Sequence, residues 1–310
     1  MKRVMVVSMF AMAVGCALIA TVPAAAVSID DVSLKFLPPE TQGIAFIDVA
    51  ALRGAPLVQE AMKNRNVSMP RSLNDITTAT GFDPERDLDK VTIGKFGGRE
   101  SLVILQGSID KSRIEQFFNN QGKEHEAYLG HNLYHDGNNT IVVLDNVVVA
   151  GPVNIVKSAV DQMQMPGSPA LRSDLMAAIQ TISEGNQVWA VGNFSVNDLG
   201  SVGIRGPAPA LEMMKSLQGG TYQMRVDTGI HAIATGSFAD GESAKNVGDL
   251  ALGALAVAKV QVAKQQPDMV NMLDGIQVVS IGRTVTVTIE ESGDVLKKWS
   301  ELRAIGKNLQ

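Results

Sequence analysis

Strands and helices that alternate twice in a similar order predict an α+β protein of two similar halves. Three observations carry that expectation. Short runs alternate apolar and polar residues as half-buried strands do, beginning with "GIAFIDV" at Gly43 to Val49. Turn residues of Gly, Asn and Asp join neighbouring runs, which favours mainly antiparallel sheets with helices packed on one face. One long Ala-rich helix, Glu242 to Gln265, marks the second half.

In the first half, Pro56 to Lys63 and Ser72 to Thr80 read as short helices. Asp83 is placed as the N-cap of a single turn, with Pro84 at its first position. Lys90 to Phe96 and Ser101 to Gly107 are strands joined by Gly97-Gly98. Asp110 caps a helix from Lys111 to Asn119 whose apolar face carries Ile114, Phe117 and Phe118. Ala127 to His135, Thr140 to Leu144 and Val147 to Ala150 are strands, with turns at Asn138-Asn139 and Asp145-Asn146. Pro152 opens a helix that ends near Met165.

The second half opens with a helix, Ser168 to Ser183, and a strand, Gln187 to Phe194. Asp198 to Gly206 has weak helical signal, and Ala208 to Leu217 is a helix. The hairpin Thr221 to Val226 with His231 to Phe238 answers the first-half hairpin. In both halves a strand ends in Gly-Ser, and an Asp soon after opens a helix. Gln277 to Ile281 and Thr284 to Ile289 pair across Gly282-Arg283, before a last helix, Asp294 to Ile305. The expected halves are residues 40–165 and 168–305, preceded by a linker, 27–39. The long helix has an apolar stripe of Val247, Leu250, Ala251, Ala254, Leu255, Ala258 and Val262. Lys245, Asp249, Lys259 and Lys264 interrupt it, so a helix across the second sheet is expected rather than a membrane span, with a partner-binding face as the alternative use of the stripe.

Residues 1–26 have the form of a signal peptide: Lys2-Arg3, an apolar run from Val4 to Val22, then Pro23. Ala24 and Ala26 fit the cleavage positions. Cys16 is the single cysteine, and "AVGC" only loosely matches a lipoprotein box. Cleavage after Ala26 leaves a chain without disulfide, thiol nucleophile or thiolate metal site. It also leaves 25 basic against 32 acidic residues, or −7. That charge argues against a nucleic-acid surface. The expected location is periplasmic or otherwise extracytoplasmic, with membrane contact only through the signal segment or a lipidated Cys16.

Candidate chemistry is sparse. His125, His131, His135 and Asp136 are competent metal ligands by type. On one strand, however, His131 and His135 would lie about 13 Å apart. Asp83, Glu85, Asp87 and Asp89 alternate, but a calcium loop would need Gly and Glu where Leu88 and Gly94 stand. Ser108 and Lys111 have S-x-x-K spacing without its companion motifs. Trp189 and Trp299 read as packing residues. No catalytic residue and no cofactor are expected.

The segments Tyr128 to Tyr134, "TIVVLDNVVVAGPVNIVKSAVD" at Thr140 to Asp161, Pro169 to Ile179 and Gly81 to Val91 resemble an exported bacterial family of unknown function. The resemblance covers about half the chain and implies an exported, duplicated α+β protein without assigned activity. The leading expectation is a non-enzymatic binding or scaffolding role in the envelope, toward a protein or small-ligand partner. The alternatives are a small-ligand or metal-binding protein using the His125 to Asp136 hairpin, and a hydrolase of unrecognised type. N-terminal sequencing of exported protein is expected to start at Val27. A start at Cys16, or retention of Met1, contradicts the leader.

Overall fold

The computed structural model describes residues 31–63, 77–98, 100–165, 171–193, 212, 214–265 and 270–295. The leader, with Cys16, Ala24 and Ala26, lies outside the described residues. So do Asp198 to Gly206, Trp299 and most of the terminal helix. The described chain is α+β and divides into two compact units. Val27–Arg53 and Asn64–Gln180 belong to one, Gly54–Lys63 and Thr181–Gln310 to the other.

The first unit holds β1 (Gly43–Asp48), β2 (Leu88–Lys95), β3 (Ser101–Gly107), β4 (His125–Tyr128), β5 (His131–Asp136), β6 (Asn139–Leu144) and β7 (Val147–Gly151). Its strands lie in the order β1-β2-β3-β7-β6-β5-β4, every neighbouring pair antiparallel. Its helices are α1 (Asp31–Lys35) and α2 (Val49–Gly54), then, across the segment that belongs to the second unit, α4 (Pro84–Asp87), α5 (Lys111–Asn120), α6 (Val153–Gln164) and α7 (Ser173–Gln180). Cross-strand register puts Phe46, Ile104, Val149, Val142 and Leu133 on one sheet face, all buried. Ile155, Val156, Ala159 and Val160 of α6 are buried too, against β6 and β7.

The second unit receives α3 (Pro56–Lys63), whose Leu57 amide donates to Asp227 O at 3.0 Å. Its strands are β8 (Val188–Gly192), β9 (Leu217–Val226), β10 (Gly229–Phe238), β11 (Ile276–Ile281) and β12 (Thr284–Ser292). They lie in the order β8-β9-β10-β12-β11, again all antiparallel. The long helix is α8 (Gly241–Gln265), and α9 (Val270–Asp274) follows. Each unit thus runs strand, hairpin, helix, hairpin, and the last strand returns to pair with the third. The similar order of elements expected of the two halves is present as sheet topology, with β4–β5 at the outer edge of the first unit.

Four expectations need correction. Residues 31–39 of the expected linker are part of the fold: Leu34, Phe36 and Leu37 are buried, and Gln106 Nε2 donates to Ser33 Oγ at 3.1 Å. The half boundary moves, because α7 belongs to the first unit and α3 to the second. Ala127 to His135 is two strands. Leu129 (φ +47°) and Gly130 (φ +84°) form a tight left-handed turn between them, and leucine is an uncommon choice there. The turn expected at Asn138-Asn139 begins at Gly137 (φ +64°), one residue earlier. Within the first unit the Phe118 ring of α5 lies 4.9 Å from Tyr134, whose side chain is on the face opposite Leu133.

Aspartate caps open the matching helices. Arg113 N donates to Asp110 at the start of α5, and Ser243 N donates to Asp240 at the start of α8. Asp110→Ala is expected to lower stability by about 1 kcal/mol in urea unfolding. An unchanged midpoint contradicts the capping role.

Candidate functional site

Helix α8 is built from its cap outward. Asp240 accepts from Ser243 N at 2.7 Å and from Ser243 Oγ at 3.0 Å, and Lys245 pairs with Asp249 one turn apart. Alanine, leucine and lysine then favour an uninterrupted helix. The N-terminal half docks on β10, β11 and β12 through small residues. Ala244 is fully buried in a cluster with Phe238 and Val285, and Val247, Val278 and Val287 pack around it. Ser280 Oγ donates to Ala244 O at 3.3 Å. A Cβ on Gly248 would lie 2.0 Å from that Oγ, so the close approach needs glycine.

The stripe expected to face the sheet is only partly correct. Val247, Ala251, Leu255, Ala258 and Val262 are half-buried, whereas Leu250 and Ala254 are exposed. The outward arc then continues through Leu252, Gly253, Ala256, Val257 and Val260, all exposed. Val257 is 57% and Val260 56% accessible. Of the helix's most apolar 18-residue stretch, mean hydropathy 1.2, only 6% is buried. Among the described residues this is the one helix long and apolar enough to cross a membrane. Ile281 on strand β11, the last in the sheet order, is 73% accessible. An open recess of about 470 Å³ lies between α8 and β11, lined by Gly241, Lys245, Asp249, Leu252, Ser280 and Gly282. Helical spacing alone marks the inward stripe and does not single out the outward Val257 and Val260. The available signal was that Leu250 to Ala258 is uncharged on every side.

The hairpin candidates do not converge. His125 and Asp136 lie on one face of β4–β5, His131 and His135 on the other. The His125 ring stacks 5.2 Å from Tyr134, and Asp136 pairs with Lys123. His135 Nε2 is 3.8 Å from Glu126, which Lys157 pairs at 2.9 Å. The Lys157 hydrogen bond holds the Glu126 carboxyl below the usual range. His131 Nδ1 is buried without a hydrogen-bond partner, and burial lowers its pKa, which favours neutral imidazole. Among the described residues no three His, Cys, Asp or Glu side chains are grouped to hold a metal ion.

The remaining candidates form caps. Asp83 accepts from Glu85 N at 3.0 Å, and Asp87 from Asp83 N at 2.8 Å. The Arg86 hydrogen bond holds the Asp87 carboxyl below its usual range. Ser108 N donates to Asp87 O at 2.8 Å, and Lys111 lies 3.9 Å from Glu115. A recess of about 250 Å³ beside them contains Arg86, Asp87, Asp110 and Arg113, each engaged with an opposite charge. Trp189 is a buried core residue of β8.

The fold and its surface define the class of protein: an α+β chain with one long, outward-facing apolar helix and polar clusters that are paired or form caps. No protein-family model and no curated protein match the chain. Among solved structures it is similar to crystal form III of TP0453. The TM-score is 0.52 at 11% identity, over 87% of this chain and 96% of that one. Crystal form I of TP0453 gives 0.51 at 10% identity, with the same coverage. At these identities the likeness shows the fold.

Gly248→Ala tests the close approach by sign. On a free helix it stabilises by roughly 0.5–1 kcal/mol. Against Ser280 it is expected to destabilise by about 1–3 kcal/mol in thermal unfolding. A stabilised variant contradicts the docking.

Proposed function

We propose that the protein is an exported, non-enzymatic envelope protein that docks on a lipid surface through the outward face of α8. The observation that carries this reading is a 25-residue helix, apolar all round at its centre, attached to the fold by one stripe. Water-facing valine and leucine in such a contiguous run mark an interaction face. Three features favour lipid as its occupant. The helix is apolar over a length that suits a bilayer interface. Lys264 ends the apolar stretch with an exposed side chain, where its ammonium group can reach headgroups. The leader and the resemblance to exported proteins support a location beside a membrane. Because its inner stripe stays on the sheet, α8 lies in the interface rather than crossing it.

The test is flotation of protein purified from the exported fraction with phosphatidylcholine–phosphatidylglycerol vesicles. The wild type is expected to float. Val257→Asp is expected to lower partitioning about tenfold or more, because an apolar contact is replaced by a charge, while the melting temperature is unchanged. Wild-type protein that stays soluble overturns the reading. So does a Val257→Asp variant that floats normally, or one that loses self-association without losing flotation.

A further inference from the structure

Among the described residues the C-terminal half of α8 has one charged tether to the rest of its unit: Lys259 Nζ donates to Asp274 Oδ1 at 2.7 Å, joining α8 to the end of α9. Next to that tether lies a buried carboxyl group. On β12 the side chains of Val285, Val287, Ile289 and Glu291 share one face, the face packed by α8. The first three are apolar. Glu291 ends the row, buried to 9% accessibility, and its Oε1 has no hydrogen-bond partner. The chain leaving α9 crosses directly above it. A Cβ on Gly275 would lie 2.7 Å from Glu291 Oε1 and 2.2 Å from Glu290 O, so only glycine passes there. Glu290 N closes the contact by donating to Gly275 O at 3.0 Å.

We infer that Glu291 is a proton-operated latch on α8: its neutral form lets α9 seat, and its ionised form loosens α9 and, through Asp274 and Lys259, the C-terminal half of α8. The functional consequence rests on the lipid-docking reading; the latch itself does not. The charges around Glu291 support the sign. From α9 it meets the Asp274 carboxylate. From α8 comes Lys259, spent on Asp274. Its cross-strand neighbour on β10 is Ile230, and Ile276 opens β11 beside Ile289. Glu290 points to the opposite face, where it pairs with His231 at 3.4 Å. No described cation touches Glu291. Losing its proton therefore leaves a buried anion beside another carboxylate.

Burial first, and then the Asp274 charge, push the Glu291 carboxyl up to about 7 from the ordinary 4.5. A carboxyl raised in the closed state contributes stability that is fully present below the open-state value and is lost as pH rises through 7. Between pH 6 and pH 8 the opening constant should rise about tenfold, on a closed value near 7 and an ordinary open value.

Hydrogen exchange on the whole protein without vesicles, corrected for intrinsic rates, reads this out over residues 255–265 and 270–274. The wild type is expected to lose about tenfold in protection from pH 6 to pH 8. Glu291→Gln, isosteric and uncharged, should show equal protection at both. Asp274→Asn should move the midpoint to lower pH, which keeps the inference testable if one variant folds poorly. Wild-type protection independent of pH overturns the latch, as does a Glu291→Gln variant that keeps the full drop. Flotation of Val257→Asp is read separately, so either claim can fail alone.

Discussion

An α-helix has one face to give to a sheet, and α8 is apolar on every side of its central stretch. That mismatch governs the second unit. Burying one stripe at the N-terminal half uses residues small enough for backbone-close contact: Ala244 fully buried, Gly248 against Ser280, Ala251 following. What gains most from leaving water, Leu252, Val257 and Val260, is left outside. Alanine and glycine make the closest contacts of this interface, with Val247 beside them, and fix the position of the helix without covering Leu252, Val257 or Val260. The larger hydrophobic contribution stays available to something beyond the unit.

The two units show how one topology takes different roles. In the first, the helix after the Gly-Ser strand end is the 10-residue α5, and the added hairpin β4–β5 extends the sheet beside it. There the polar side chains are consumed locally, Tyr128 by Asp161, Glu126 by Lys157 and Asp136 by Lys123. In the second unit the corresponding helix is 25 residues long, no added hairpin follows among the described residues, and β11 ends the sheet order. The longer helix leaves Leu252, Val257 and Val260 exposed.

Much of the fold was legible in the sequence because its signals are local. Period-two runs located most of the strands, Asp110 and Asp240 announced the helix starts, and Gly282-Arg283 and Asp145-Asn146 gave their turns. The Leu129-Gly130 turn was not legible, since a leucine at positive φ runs against turn preferences and the alternation continues through it. The boundary exchange of α3 and α7 was hidden because it depends on long-range pairing, such as Leu57 with Asp227. The candidate surface was half legible. Helical spacing identified α8, but spacing says which residues share a face and not which face a sheet selects. Glu291 had no sequence signal, since it ends an apolar row in a strand whose solvent face also carries Glu290.

The central claim, that the outward face of α8 meets lipid, is tested most directly by spin labels read for collision with oxygen and with a water-soluble nickel chelate. One label is placed by Val257→Cys. A comparison label is placed by Leu129→Cys at the exposed hairpin tip of the first unit. On adding vesicles, the label at position 257 should become oxygen-accessible and nickel-protected, while the label at 129 stays open to nickel. Equal nickel access at both positions, with and without vesicles, would contradict the account.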